Sequence, residues 1–260
     1  MSLWGRIVKM KTIELKDKYI FHVHSYRCGH AENVKDEEYV LAAIEKGAEQ
    51  IIFTDHAPFI GDPYGYRMPY AMLEDYLSVT TSLKEKYKDK IEVNIGMEIE
   101  YLPSKKGYYE ELLERKEVEF LLIGQHFYEV DGKASFFDGF SDEEIARDEA
   151  SHCVMHMLEA MDSGLFPIIA HPDRCFRRQK VWTAECENLA QMMVDKAKET
   201  GIYLEKNLAS MVRKNQYKDE FWQRDLNGVN LIVGSDAHAV KEMHVIDKGN
   251  EKEVDYRTLI

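Results

Sequence analysis

The sequence predicts an α/β fold built on a parallel sheet, and three observations carry that prediction. Seven short apolar runs, at residues 19–24, 50–54, 91–98, 118–124, 166–170, 201–204 and 229–234, are strand-sized and often contain Ile or Val. Continuous runs of this kind suit strands covered on both faces. Six segments with helical spacing of apolar residues lie between them, and strands alternating with helices along the whole chain are the mark of a parallel sheet. Finally, 260 residues are enough to close seven such units around one large core. The count is barrel-sized, although an open doubly wound sheet would use the same units.

In chain order, the first strand reads YIFHVHS and leads to a helix over 36–48 that Lys46-Gly47 closes. The second, IIFTDHAPF, precedes a helix over 69–88, and the third, NIGMEIE, a helix over 108–116. After LLIGQH comes a helix over 142–161, which Ser141 can cap with Glu144 three residues on. PIIAHPDR leads to a helix over 184–199 that Thr200-Gly201 ends before the sixth strand. A last helix, at about 216–226, precedes the seventh strand, LIVGSDAH.

Composition narrows the function classes. Thirty-four Lys and Arg against 47 Asp and Glu give a net charge of −13, which opposes non-specific binding to nucleic acid or to an anionic membrane. No run approaches the roughly 18 apolar residues of a membrane span, and the first residues lack the long apolar stretch of a signal peptide. Cys28, Cys153, Cys175 and Cys186 form no CxxC pair and read as reduced thiols. The expectation is one cytoplasmic domain over residues 1–260, with 1–18 as an N-terminal extension and 240–260 as a C-terminal tail.

The ten histidines are not scattered at random over these elements. His22 and His24 end the first strand, Asp55 and His56 the second, and Glu98 the third. His126 follows the fourth, His171 the fifth, and Asp236 and His238 the seventh. In a parallel barrel the C-terminal strand ends converge on one face, so sequence-distant side chains meet there. Imidazole and carboxylate suit Zn, Mn or Fe. Strand alternation puts His22 and His24 on one face, about 6–7 Å apart. An HxH pair alone is better read as a buried hydrogen-bonded pair. Its repetition as ligand types at six strand ends turns the balance to a metal site.

Other residues read more plainly. His152 and His156 stand at i,i+4 on a helix, but the glutamate of an HExxH motif is missing, so packing is the better reading. His244 reads as solvated, Glu100 as a surface carboxylate, and Tyr26 and Arg27 as ordinary loop residues. Cys28 receives no role.

His22-x-His24 with His30 beyond, Thr54-Asp55-His56, Glu98, His126, His171 and Gly234-Ser235-Asp236-Ala237-His238 occur in an order that resembles the PHP (polymerase and histidinol phosphatase) superfamily of metal-dependent phosphoesterases. The resemblance runs from about Tyr19 to His238. Its length, with AHPDR and LEKN before the last motif, is similar to the monofunctional histidinol-phosphate phosphatases of that superfamily. It implies a distorted (β/α)7 TIM-like barrel of PHP type and two to three divalent ions (Zn, Mn or Fe). By this resemblance His22, His24, Glu98 and Asp236 surround one ion, and Glu98 bridges to a second held by His126 and His171. His30, His56 and His238 bind the third, and Asp55 orients an imidazole from behind. The chain departs from the family pattern at Lys206 and at Leu208-Ala209-Ser210.

The activity so implied is hydrolysis of L-histidinol phosphate to L-histidinol and phosphate, a step of histidine biosynthesis, by attack of a metal-bridging hydroxide. Glu98, Asp236 and His238 are the catalytic candidates. Arg174, Arg213 and Arg177 are candidates for holding phosphate, because the guanidinium fork matches two phosphate oxygens. Alternatives are another small phosphate ester, a nucleotide or protein phosphotyrosine as substrate, a non-catalytic metal module, or a C–N hydrolase, for which no strand-end lysine is present. The expected partner is a small phosphate monoester, with no nucleic acid or membrane, and the expected assembly a monomer or homodimer. The negative net charge does not oppose a small anion, since three ions bring about +6 against Glu98 and Asp236.

Overall fold

The computed structural model describes residues 13–136, 143–213 and 216–255. Strands β1 (Lys18–Val23), β2 (Gln50–His56), β3 (Glu92–Ile99) and β4 (Phe120–Ile123) pair in parallel, each with the next. A hairpin of β5 (Phe127–Val130) and β6 (Lys133–Phe136) stands apart as its own two-stranded sheet. The parallel series resumes with β7 (Ile168–Ile169), β8 (Tyr203–Asn207) and β9 (Asn230–Gly234). The chain after β9 then returns to β1. Ser235 N donates to Phe21 O at 2.8 Å, Ala237 N to His22 O at 3.0 Å, and His24 N to Ala237 O at 2.9 Å. β10 (Ile246–Asp247) pairs antiparallel with the start of β1. Seven parallel strands in a nearly closed ring make a distorted (β/α)7 barrel, and all seven predicted strands take part.

The strands are buried on both faces, and the two faces feed different cores. Tyr19, Phe21, Ile52, Phe120, Leu122 and Ile168 fill the barrel interior. Ile20, Ile51, Phe53, Val93, Ile95 and Leu121 point outward to the helices. Those helices are α1 (Asp36–Glu45), α2 (Leu73–Tyr87), α3 (Lys106–Glu114), α4 (Glu143–Ser163) and α5 (Ala184–Thr200). Thr183 caps α5 by accepting from Cys186 N, and Gly201, at φ 73°, ends it with its N–H on Ala197 O. The cap expected at Ser141 lies outside the described residues. No helix among the described residues is long and apolar enough to cross a membrane.

Three stretches differ from the sequence reading. The helix expected at 216–226 contracts to one turn, α7 (Asp219–Trp222), and is preceded by an unforeseen short helix, α6 (Leu208–Val212). α6 exists because the Asn207 side chain accepts from Ser210 N at 2.8 Å and so caps it. The β5–β6 hairpin was not foreseen either, because its four-residue strands are too short to register as periodic. From Val240 on, the expected tail carries β10 and is tied to the barrel. Lys206 Nζ donates to the carbonyls of Lys252 at 2.9 Å and Val254 at 2.8 Å, which gives the unusual lysine of β8 its partners.

Candidate metal centre

The first histidine pair is set by an irregularity in β1. Tyr19 and Phe21 face the barrel interior while Ile20 and Val23 face the helices, so the alternation slips by one residue at His22. The pairing register with β2 shifts between Phe21 and Val23, and His22 sits at φ 66°. This bulge corrects the simple alternation argument. The His22 and His24 rings converge, centroids 4.9 Å apart, rather than standing two residues apart along a regular strand. His171 (φ 32°) and Asp236 (φ 49°) also adopt left-handed backbone. Non-glycine residues rarely do so, at a cost of about 1–3 kcal/mol each, and such strain concentrates at functional sites.

These distortions gather imidazoles around one carboxylate. Glu98, at the end of β3, is 1% exposed. His171 Nε2 lies 2.8 Å from its Oε1, and His56 Nδ1 lies 3.0 Å from its Oε2. His22 Nε2 and His24 Nε2 stand 3.5 and 3.6 Å from Oε2, and His126 Nε2 stands 3.8 Å from Oε1. Burial alone would push this carboxyl up. His22, His126, His56 and His171 outweigh burial and hold it well below the usual carboxylate range. Asp236 Oδ1 completes the group, 3.3 Å from His24 Nε2 and 3.8 Å from His22 Nε2. Burial raises the Asp236 carboxyl too, and Arg174 and His22 overcome it and keep the group ionised.

The donor set fits divalent cations. Ligand atoms of His22, His24 and Glu98 lie within 4.8 Å of one another, as do those of His56, Glu98 and His126, of His24, His56 and His238, and of Cys28, His30 and His238. His22 Nε2, both nitrogens of His24, and His238 Nε2 are buried with no hydrogen-bond partner. Buried polar atoms are costly unless satisfied, so four such nitrogens beside two carboxylates call for a cation. Burial, followed by Arg174, presses His171 down to about 4, and burial with His24 presses His238 to about 3. Both rings are therefore neutral at neutral pH, the form that ligates metal. Burial works in the same direction on His22, but the Glu205, Glu98 and Asp236 carboxylates outweigh it there and raise its pKa well above the ordinary value.

All nine residues expected as ligands converge on this face of the barrel. His30 is the outermost and is exposed; its ring stacks on His238 at 4.6 Å and lies 5.4 Å from His56. Two contacts run across the expected partition. His56, assigned to the third group, also reaches Glu98, and Cys28, left without a role, has its sulfur beside His30 and His238. Asp55 lies next to the ligands, Oδ1 3.8 Å from His24 Nδ1 and so beyond hydrogen-bond reach, while its Oδ2 accepts from Ser25 Oγ.

Several supporting residues escaped sequence reasoning. Glu205, fully buried on β8, takes His22 Nδ1 at 2.6 Å and the backbone N–H of His171 at 2.9 Å. The LEKN segment was the signal that could have found it. Gly124 and Gly234 make room for the two central carboxylates: an added Cβ would come within 1.8 Å of Glu98 Oε1 and 1.6 Å of Glu205 Oε1 respectively. Glu100 is not a surface group. It is 1% exposed, paired with Arg67 and with His126. Arg27 is likewise buried, bonded to Asp36 at 2.9 Å and to Asp75 at 2.7 Å, and so pins the loop that carries Ser25.

A cavity of about 260 Å³ adjoins the cluster, lined by Tyr66, Arg67, Phe127, Arg174 and Arg213 together with His56, His126, Asp236 and His238. Arg174 is buried and donates to Asp236 Oδ2 at 2.7 Å and to Ser210 Oγ at 2.9 Å. Arg213 is exposed. Arg177 does not line this cavity; its charged neighbours are Arg174, Arg178 and Glu149, and burial lowers its pKa. His152 stacks on Tyr128 with centroids 5.0 Å apart, which fits its reading as a packing residue. His244 is half-buried rather than solvated, and its backbone N–H donates to Ser235 Oγ at 3.1 Å.

A barrel whose strand ends carry imidazoles and carboxylates around a shared glutamate defines a class of metal-binding α/β barrels. The chain belongs to the PHP domain family, whose model matches residues 21–209. A relative from Deinococcus radiodurans is 25% identical over 158 residues, covering 58% of this chain and 59% of that protein. The histidinol-phosphatase of Bacillus subtilis is 33% identical over 87 residues, 31% of this chain and 32% of that one. The chain thus matches about three fifths of the first relative's length and a third of the second's. Among solved structures, a chain from Listeria monocytogenes superposes with a TM-score of 0.75 at 18% identity, covering 91% of this chain and 100% of that one. The histidinol phosphate phosphatase of Lactococcus lactis, solved with zinc, L-histidinol and phosphate, superposes with a TM-score of 0.67 at 21% identity, covering 86% and 87%.

Proposed function

We propose that this chain, one PHP domain over residues 1–260, is a metal-dependent phosphatase that hydrolyses L-histidinol phosphate to L-histidinol and phosphate. The observation that carries the reading is Glu98, ringed by five imidazoles next to a cavity that Arg174 and Arg213 line. The substrate is supported by the Bacillus subtilis relative's name and by the ligands in the Lactococcus lactis structure.

Two to three ions of Zn, Mn or Fe would be held by His22, His24, Glu98 and Asp236, by Glu98 with His126 and His171, and by His30, His56 and His238. Bound there, such ions supply positive charge for the phosphoryl oxygens and acidify water. The chain's own side chains supply the rest. Glu98 and Asp236 stay ionised in their buried setting, and so offer the site negative ligands. Arg174, whose Nη2 is held by Ser210 and Asp236, lines the cavity and would offer its remaining guanidinium N–H groups to a phosphate oxygen. Arg213 adds a second positive charge from the open side. Asp236 and His238 line the same cavity, which supports a role for them in passing a proton, through water, to the leaving alkoxide.

Two measurements test this. Metal analysis of protein expressed with ample metal should find two to three ions per chain, and less than one would sink the metal reading. A steady-state panel with added Mn or Zn should give L-histidinol phosphate a higher kcat/KM than nucleoside monophosphates or phosphotyrosine. A flat profile would reduce the reading to a general phosphomonoesterase.

A further inference from the structure

His126 differs from the other ligand candidates around Glu98 in what holds it. His22, His24, His56 and His171 are nearly or fully buried, whereas the His126 side chain is 24% exposed and lies in the loop between β4 and β5. A ligand on a loop needs a brace, and one is present. Its Nδ1 lies 2.9 Å from Glu100 Oε1. Glu100 is in turn clamped by Arg67, whose Nη2 donates to Oε1 at 3.0 Å while Nη1 stands 3.0 Å from Oε2. The Arg67 side chain is 6% exposed. Its guanidinium carbon lies 5.3, 5.8 and 5.4 Å from the ring centres of Phe59, Tyr64 and Phe127, and Nη1 also donates to Ala57 O at 3.2 Å. The cation is thus fixed by an aromatic box and a carbonyl before it reaches the carboxylate.

We infer that Glu100, locked by Arg67, is the positioning residue for His126 and sets how tightly the chain holds the ion that His126 shares with Glu98. The inference rests on the proposed role of His126 as a ligand. With Nδ1–H donated to Glu100, the lone pair of the ring is on Nε2, which faces Glu98 Oε1 at 3.8 Å and leaves the ring one way to ligate. Arg67 adds a second effect. It cancels the Glu100 charge locally, so the brace does not place another net negative charge beneath a phosphate dianion. His22 has a related brace in Glu205, at 2.6 Å on its Nδ1. His22 has strands on both sides, so the Glu100 brace should matter more to its loop-borne partner.

The test uses the full chain, stripped with chelator and then titrated with Mn or with Co(II) at controlled free concentrations. Occupancy is read by elemental analysis and by the Co(II) spectrum. Glu100→Gln keeps the size of the side chain and should weaken one ion by about 10–100-fold. The metal concentration for half-activation should rise by the same factor, with kcat at saturating metal within a few-fold of the parent. Glu100→Asp keeps the charge toward Arg67 and draws the carboxylate back; it should shift affinity in the same direction by less. It also carries the test if Glu100→Gln gives no cooperative thermal transition. His126→Ala separates the layers of the argument. If it weakens one ion while both Glu100 variants bind as the parent does, the positioning role is wrong and the ligand assignment stands. If His126→Ala itself binds every ion with parental affinity, the ligand reading fails first.

Discussion

The floor of the cavity and its rim are held by different means. On the floor, Glu98, His22, His24 and Asp236 stand at strand ends, 0–3% exposed, each touching several others of the set. At the rim, Tyr66 is 84% exposed, and Arg213 and Tyr66 both project from loops. Arg174 sits between the two, on the short 3-10 helix Pro172–Phe176 and buried against Asp236. A floor residue takes its place from backbone that is part of the barrel, with left-handed residues at His22, His171 and Asp236 fixed by the packing around them. A rim residue takes its place from a few side-chain bonds. Changes on the floor should therefore act on metal and chemistry together, and changes at the rim on substrate alone.

The largest expected effect is at Glu98. Glu98→Gln removes the negative charge that five imidazoles face and should lower kcat/KM by about a thousandfold or more, with metal content falling too. Retained turnover on a metal-loaded variant would erase the distinction between floor and rim. Arg174→Gln comes next. It should raise KM for phosphate esters and cost about a hundredfold in kcat/KM. Because Arg174 also touches Asp236, metal affinity should fall modestly, and a titration that shows no change would class Arg174 wholly with the rim. The smallest effect belongs to Arg213→Ala, expected at about tenfold or less in KM with parental metal content, since an exposed guanidinium is screened by water. A loss of metal in that variant would show that the rim reaches deeper than its contacts suggest.

The same division decides what could be read from the sequence. Floor residues were legible because they fall at the ends of apolar runs, and a parallel barrel gathers strand ends on one face. His22-x-His24, Asp55-His56, Glu98 and Asp236-x-His238 needed no more than that rule. The bulge at His22 was not legible, because nothing in YIFHVHS distinguishes an irregular strand from a regular one. Glu100 reads as a surface group in the sequence because its burial depends on Arg67, 33 residues earlier in a loop. Glu205 is hidden in LEKN, because its role depends on His22, 183 residues earlier in the chain. Lys206 turns to the C-terminal carbonyls while Glu205 beside it faces His22, an outcome of strand alternation. The arginines were the hardest to sort, since Arg174 and Arg177 are three residues apart and only the chain's path sends one to the cavity and the other away.

The antiparallel strand β10 has a practical consequence. It lies on the start of β1, Lys248 N donates to Asp17 O at 2.8 Å, and Lys248 Nζ donates to Leu15 O at 2.8 Å. Residues 13–18 and 246–254 therefore meet at the barrel end opposite the histidines. That end is the natural place for a fusion partner, an immobilising tether or the joint of a circular permutation, because each could be attached there while the mouth stays open to substrate.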